Sequence, residues 1–439
     1  MSPETEPILE DELRDAWPVL SPRDRVEGFR LLPPASADDF FLSLSSQEQA
    51  GLLMALLPGE RRTWMRVLAP DDAADVIQQL PPEERGTFLT LLDDISRREV
   101  QALLAYEEDE AGGLMNPRFV RVRPDSSIDE ALTYLRKQAR EKVETVYYGY
   151  VLDAEQHLLG VVSLRQLFQA SPGKVVRDVM RTDLVTVTEE TDQEVVGRLF
   201  AEHGLAAIPV MDSQGHMKGI VTVDDIVSVV QDEATEDIQK VGGMEALDAP
   251  YFEVGFVAML KKRAGWLLIL FVSEMLTATA MARYEAEIAR AVVLSLFVPL
   301  IISSGGNAGS QASTLVIRSL ALTEVRLRDW WRVMRRELLS GVALGAVLGT
   351  VGLIRILLWQ AAFHSYGEHA TRVAITVGLS VLGVVTWGTL SGSMLPFVLR
   401  RLGFDPASAS APFVATLVDV SGLVIYFTTA EFVLRGALL

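Results

Sequence analysis

Three acidic residues stand inside runs that are otherwise apolar: Glu274, Asp419 and Glu431. A carboxylate at membrane depth costs about 3 kcal/mol even on insertion scales, so its first reading is functional. Asp419 follows a helix start at Ala411-Pro412-Phe413 and precedes Ser421-Gly422; the competing reading is a hydrogen-bonded structural Asp. Glu431 lies near the end of its run, where an interfacial role fits. Glu274 sits within AGWLLILFVSEMLTATAM, and three roles stay open for it: a local polar contact, a protonated acid, or a second feature of an ion path. The polar run Gly305-Gly306-Asn307-Ala308-Gly309-Ser310-Gln311 is not a phosphate-binding loop, because it lacks the Lys and the preceding strand. With no Cys, disulfides, thiolate metal sites and Cys nucleophiles are excluded. His157, His203, His216, His364 and His369 show no ligand spacing and read as surface side chains. No Ser/His/Asp constellation is motivated by spacing, so the chain is not expected to be an enzyme.

The elements that carry the three acids are membrane spans. Five apolar runs follow residue 263: Ala264–Met281, Ala291–Ser303 continuing to Ala312–Leu322, Leu338–Gln360, Val373–Leu399 and Ala411–Leu434. Each approaches the ~20 residues that a span requires. The second is expected to be interrupted at SSGGNAGSQ, and irregular backbone at that depth must be buried in protein or line a wet cavity. Basic residues cluster at Lys261-Lys262-Arg263, between spans two and three, and at Arg400-Arg401. Five spans with the N-terminus inside place all three clusters in the cytosol. Gly341, Gly345 and Gly349, and likewise Gly388 and Gly392, have the spacing that lets helix backbones approach closely.

The rest of the chain is its opposite in charge. Of 439 residues with a net charge of −18, residues 1–260 carry 48 acids and 24 bases, whereas residues 261–439 carry 10 and 16. Nothing offers a basic face to phosphates, so nucleic acid is excluded as a partner. The acidic N-terminus has no apolar core and is not expected to be a signal peptide. Leu57-Pro58, Ala69-Pro70 and Pro81-Pro82 each precede an acid and an apolar-periodic run, which is a helix-start signature. Starts about every 12 residues predict short stacked helices, a small superhelix. Further on, Gly160-Val161-Val162-Ser163-Leu164-Arg165 recurs as Gly219-Ile220-Val221-Thr222-Val223-Asp224, and Val120–Asp125 as Leu184–Glu189. Each copy reads strand, helix, strand, turn, strand, helix. This repeat resembles a tandem pair of CBS domains over about 112–234, a module that commonly binds adenine nucleotides. The resemblance implies a ribose contact at Thr222 and Asp225, with Tyr148 and Arg165 as further nucleotide-binding positions. Copy one has Gln166 where the pattern expects Asp, which leaves ATP binding open.

The order of parts resembles the MgtE family of magnesium channels and transporters over essentially the whole chain. The motifs that carry the likeness are Tyr106–Met115 (YEEDEAGGLM), Glu233–Ile238 (EATEDI), Gly305–Gln311 (GGNAGSQ) and Phe413–Gly422 (FVATLVDVSG). The implied fold is a multidomain membrane protein. It comprises an N-terminal all-α superhelical domain (1–111), an α+β tandem CBS pair (112–173 and 174–234), a long connecting helix (235–262) and a five-helix transmembrane domain (263–439). The likeness also implies a homodimer in the lipid bilayer of the cell membrane, with Mg2+ as the ion. Asp419 is then the pore carboxylate, assisted by the Ala415 carbonyl and by Asn307. Mg2+ dehydrates reluctantly and demands octahedral oxygen geometry, so a pore holding the hydrated ion needs width, acceptors and charge. Implied cytosolic sensor positions are Asp39, Asp71, Asp75, Glu194, the carbonyl of Ala201, Asp225, Glu233, Glu236, Asp237 and Asp405. Gly204 and Ser228 stand where the family pattern has carboxylates. An excess of like charge opposes compaction, so divalent ions between acidic faces would favour a closed packing. The function expected is a Mg2+-selective channel or transporter that moves Mg2+ into the cytosol and is closed by cytosolic Mg2+. The alternatives are a nucleotide-sensing membrane regulator that conducts nothing, and an ion-coupled exchanger.

Overall fold

Pro58, Pro70 and Pro82 each open a helix, because proline at the first helical position fixes φ and lacks only an amide that would be unpaired there. The helices of this region are α1 (Glu10–Ala16), α2 (Pro22–Leu31), α3 (Pro34–Leu42), α4 (Ser46–Ala55), α5 (Pro58–Met65), α6 (Pro70–Gln78), α7 (Pro82–Leu89) and α8 (Asp94–Leu103). They close on a core of Phe40, Phe41, Leu53, Met65, Ile77 and Phe88. The structure, a computed structural model, describes residues 9–139, 143–171, 173–247, 251, 254–364 and 366–435. By contacts it divides into two units, Met1–Asp232 and Glu233–Leu439.

In the first unit a short helix, α9 (Ala111–Leu114), leads into the repeat. Copy one is β1 (Arg121–Val122), α10 (Ile128–Gln138), β2 (Tyr148–Leu152), β3 (Leu158–Ser163) and α11 (Leu164–Gln169). Copy two is β4 (Val187–Thr188), α12 (Gln193–His203), β5 (Ala207–Met211), β6 (Met217–Thr222) and α13 (Val223–Val241). In both sheets the first strand pairs parallel with the second and the second antiparallel with the third. The copies interlock: Asn116, ahead of copy one, bridges to Ile220 of copy two, and Arg181, ahead of copy two, bridges to Val161 of copy one. Tyr150 and Ile220 are buried between the sheets. His157 and His216 remain partly exposed and stack at 4.7 Å where the two hairpins meet, each held by an Asp at 3.0 Å.

The motif Tyr106–Met115 is the hinge-free joint of this unit. The amide of Ala111 donates to the Thr191 carbonyl at 2.7 Å, and Gly112 to Glu189 at 2.9 Å. The Tyr106 hydroxyl donates to the Glu189 carboxylate at 2.8 Å. A Cβ on Gly112 would lie 2.5 Å from the Tyr106 ring and 3.0 Å from the Glu189 carbonyl oxygen, so glycine is what fits.

Helix α13 differs from the expected connecting helix over 235–262. It begins directly after β6 and ends at Val241, because Gly242-Gly243 follows and Gly243 takes a positive φ of 75°, the left-handed conformation that stops helices at glycine. The next helix starts at Phe256, within the stretch assigned to the connector.

The second unit holds α14 (Phe256–Arg283), α15 (Glu285–Arg290), α16 (Val298–Ala321), α17 (Trp330–Phe363), α18 (Ala370–Arg401) and α19 (Ala411–Leu434). Among the described residues five helical segments are long and apolar enough to cross a membrane. The interruption expected at SSGGNAGSQ does not occur: α16 runs unbroken through it. Its glycines serve close approach rather than a turn. A Cβ on Gly309 would lie 2.9 Å from the Gly388 carbonyl oxygen, and Gly392 packs in turn on Gly309. The Gly341, Gly345 and Gly349 stripe of α17 likewise meets Thr386, Leu382 and Gly378 of α18.

Candidate functional site: membrane carboxylates and a cytosolic acid cluster

Ser410 caps α19 through the Phe413 amide, and its hydroxyl accepts from the Trp266 indole of α14 at 3.2 Å. Ser310 and Ser313 of α16 donate to the carbonyls of Ala411 and Ala409 at 3.1 and 2.8 Å. These contacts fix the start of α19 and, about two turns on, the height of Asp419. There Gly306 matters: a Cβ built on it would lie 3.5 Å from the Ala415 Cα and 3.9 Å from Asp419 Oδ1. The GGN run and the FVATLVD run, far apart in sequence, thus meet at one level. Asp419 is half-buried and Asn307 exposed, the Asn307 amide lying 3.5 Å from Ser303 Oγ. About three turns beyond the cap, Ser421 accepts from the Trp387 indole at 2.7 Å. Glu274 of α14 lies close enough to Asp419 for the two side chains to interact. Spacing alone left its role open, since no sequence pattern links the two helices.

The first unit brings together some of the sensor positions and not others. Asp71 and Asp75 of α6 gather with Asp225 of α13, and with Asp72 and Glu144. Burial, reinforced by Asp225, Asp72 and Glu144, lifts the Asp71 carboxyl well above its ordinary value. Burial first, then Asp72 and Asp225, brings Asp75 to about 7. Glu144 rises to about 7 for the same reasons and Asp225 to about 6. Desolvation and mutual repulsion both penalise the charged forms. Asn116 and Glu144 are members that sequence reasoning missed. The buried Asn116 amide donates to Asp71 at 3.0 Å and to Glu144 at 2.6 Å. The available signal was position, since Asn116 opens copy one and Glu144 precedes β2. Asp39, Glu194 and Ala201 are exposed on α3 and α12, outside this group.

The second unit holds a separate group. The Lys240 ammonium bonds Asp405 at 2.7 Å and also contacts Glu236. Burial, and then Asp405 ahead of Glu233 and Glu236, pushes Asp237 up to about 6, with Lys240 opposing. Lys240 was not anticipated; it is the cation these acids face. Among the described residues no three His, Asp or Glu side chains converge closely enough to ligate a bare metal ion.

The nucleotide positions share one local geometry. In copy two, Asp225 Oδ2 accepts from the Thr222 hydroxyl at 2.6 Å and its amide at 3.3 Å. In copy one, Gln166 Oε1 accepts from the Ser163 amide at 2.8 Å and its hydroxyl at 3.0 Å. Gln therefore reproduces the capping box while removing the charge, and its amide donates to the Val179 carbonyl at 3.4 Å. Tyr148 is half-buried on β2 and Arg165 is exposed on α11.

Five apolar crossings joined to an acidic helical and CBS-type region define a multi-pass membrane protein with cytosolic N-terminal domains. Residues 298–429 match the MgtE family, described as a divalent cation transporter. Residues 10–109 match the MgtE intracellular N domain, and 111–173 and 176–232 match CBS domains. The magnesium transporter MgtE of Thermus thermophilus is 41% identical over 434 residues, covering 98% of this chain and 94% of that one. That of Bacillus subtilis is 32% identical over 342 residues, covering 78% and 73%. The chain belongs to the MgtE family. A crystal structure of the cytosolic domain of the Mg2+ channel MgtE in complex with ATP is also similar, at 41% identity and TM-score 0.48, covering 51% of this chain and 90% of that one.

Proposed function

We propose that this chain is a homodimeric Mg2+ channel that admits Mg2+ to the cytosol down its electrochemical gradient and is closed by cytosolic Mg2+. The observation that carries the reading is the meeting of Asp419, Ala415 and Gly306 at one level of the membrane helices. It supplies a carboxylate and main-chain oxygens without a closed cage, which suits an ion that keeps its waters. Two copies of Asp419 across a dimer axis double the charge. A divalent ion gains about 4.6 kcal/mol per 100 mV of membrane potential, twice the single-charge value, so entry needs no ATP.

Closure is assigned to the acids of the cytosolic region. Asp71 is buried and Asp75 and Asp225 are half-buried beside it, all three raised in pKa, a state that a divalent cation relieves. Glu233, Glu236, Asp237 and Asp405 would form a second group, with Asp39, Glu194 and the Ala201 carbonyl contributing from exposed positions. ATP is assigned to the cleft beside Thr222 and Asp225, with Tyr148 and Arg165, and copy one contributes the neutral Gln166.

The test is Mg2+ influx into proteoliposomes holding the full chain. Asp419→Asn is expected to abolish influx in protein that reconstitutes normally. Undiminished influx overturns the pore assignment. Millimolar Mg2+ on the cytosolic side is expected to suppress influx, and currents indifferent to it overturn the gating.

A further inference from the structure

Helices α14 and α19 run in the same direction, as two aromatic contacts show. Trp266 meets Phe413 with ring centroids at 6.3 Å, and Tyr284 stacks on Phe427 at 4.9 Å. Between these two fixed points, about two turns from either end, lie Glu274 and Asp419. The two lie at a similar height on neighbouring helices, close enough for their side chains to act on each other. Glu274 is the one acid of α14. It stands on an exposed face beside Phe271 and Met275, both large apolar side chains open to the surroundings. An acid inside a membrane helix turns to protein or to a water-filled path rather than to lipid. Here the protein side is Asp419 itself, and the Gly306 surface beside it has no side chain to fill the space. Two carboxylates at one level of a water-filled path offer a hydrated divalent cation acceptors from two helices.

We propose that Glu274 is a specificity-determining residue of the ion path, contributing a second carboxylate per chain beside Asp419 to the outer sphere of a hydrated divalent cation. The inference rests on the pore reading above. It assigns the wall of the path to α14 as well as α19, and it makes the charge around the ion four rather than two in a dimer.

The experiment is Mg2+ influx against Mg2+ concentration for the full chain in proteoliposomes, with Glu274→Gln, Glu274→Asp and Asp419→Asn side by side. Glu274→Gln is expected to raise the half-saturating Mg2+ concentration about tenfold, the loss of one contact to a charged group. Glu274→Asp is expected to stay within about twofold of the parent, the margin of a shortened but still charged side chain. Asp419→Asn without influx and Glu274→Gln within twofold of the parent overturns this inference, because Glu274 then does not act on the ion, and leaves the pore reading standing. Asp419→Asn with normal influx removes the pore reading and this one with it. If Glu274→Gln does not reconstitute, the parent chain decides: carbodiimide labelling of Glu274, read by mass spectrometry, is expected to slow at least fivefold with Mg2+ present. Equal labelling with and without Mg2+ overturns the inference.

Discussion

Asn116 is the side chain whose role is clearest in the structure and least visible in the sequence. It is fully buried, its amide serves Asp71 and Glu144, and its carbonyl accepts from the Arg118 amide at 2.8 Å. Asn116→Ala removes a donor shared by the buried Asp71 carboxyl and the half-buried Glu144 carboxyl. It is expected to destabilise the cytosolic region by about 2 kcal/mol, the range for hydrogen bonds to charged groups, measured as a shift in the urea midpoint. A loss under 0.5 kcal/mol, roughly the scatter of surface substitutions, would count against that role. Asp93 is a simpler case. Its carboxylate caps α8 through the amides of Ile95 and Ser96 at 3.0 Å each, and these bonds hold its pKa down to about 2. Asp93→Ala is expected to cost about 1 kcal/mol, a normal N-cap loss. Asp419 was legible because a carboxylate in an apolar run is conspicuous. Asn116 was not, because an amide next to a proline has no pattern that announces a partner 45 positions away.

The helices were legible where proline and acid mark their starts, and the spans where hydropathy is continuous. The Gly305–Gln311 run shows the limit of such reading. Glycine density predicts a break when local propensity decides, but tertiary packing decided here: Gly305, Gly306 and Gly309 are buried in an intact helix against α18 and α19. The same run is therefore sensitive to added volume. Gly388 packs on the Gly305 backbone, and Gly388→Val is expected to prevent tight α16–α18 packing, at about 1–3 kcal/mol or more. The readout is loss of monodisperse protein in detergent; a normal elution profile and thermal midpoint would contradict the packing. The connector was misjudged for a related reason. Gly242-Gly243 is visible in the sequence, but what ends α13 is the positive φ that Gly243 adopts.

For the molecule as a whole, the excess of acid is distributed between free surface and a half-buried cluster of carboxyls around Asp71. Asp75 and Glu144 reach about 7 and Asp225 about 6, against ordinary values of 3.8 and 4.5. Between those limits the folded chain holds protons that the unfolded chain has released. Stability without divalent ions therefore falls as pH rises from about 4.5 to 7 and levels off above. Cations that displace those protons act in the opposite sense. Mg2+ is expected to raise the thermal midpoint of the cytosolic region more at pH 8 than at pH 5, because at pH 5 protons already occupy the carboxyls. A larger Mg2+ shift at pH 5 would refute the assignment of these acids as the ion's site.

The amide of Asn116 adds a kinetic consequence. It ties α6 to the CBS region through a neutral amide that needs no ion to form its bonds. Departure of the cation and separation of the two surfaces are thus successive events, each with its own barrier. A chain cycled through rising and then falling Mg2+ would retrace its path with a lag: it would keep, for a time, the conformation of its recent past. That lag is hysteresis, a short memory built from one buried side chain.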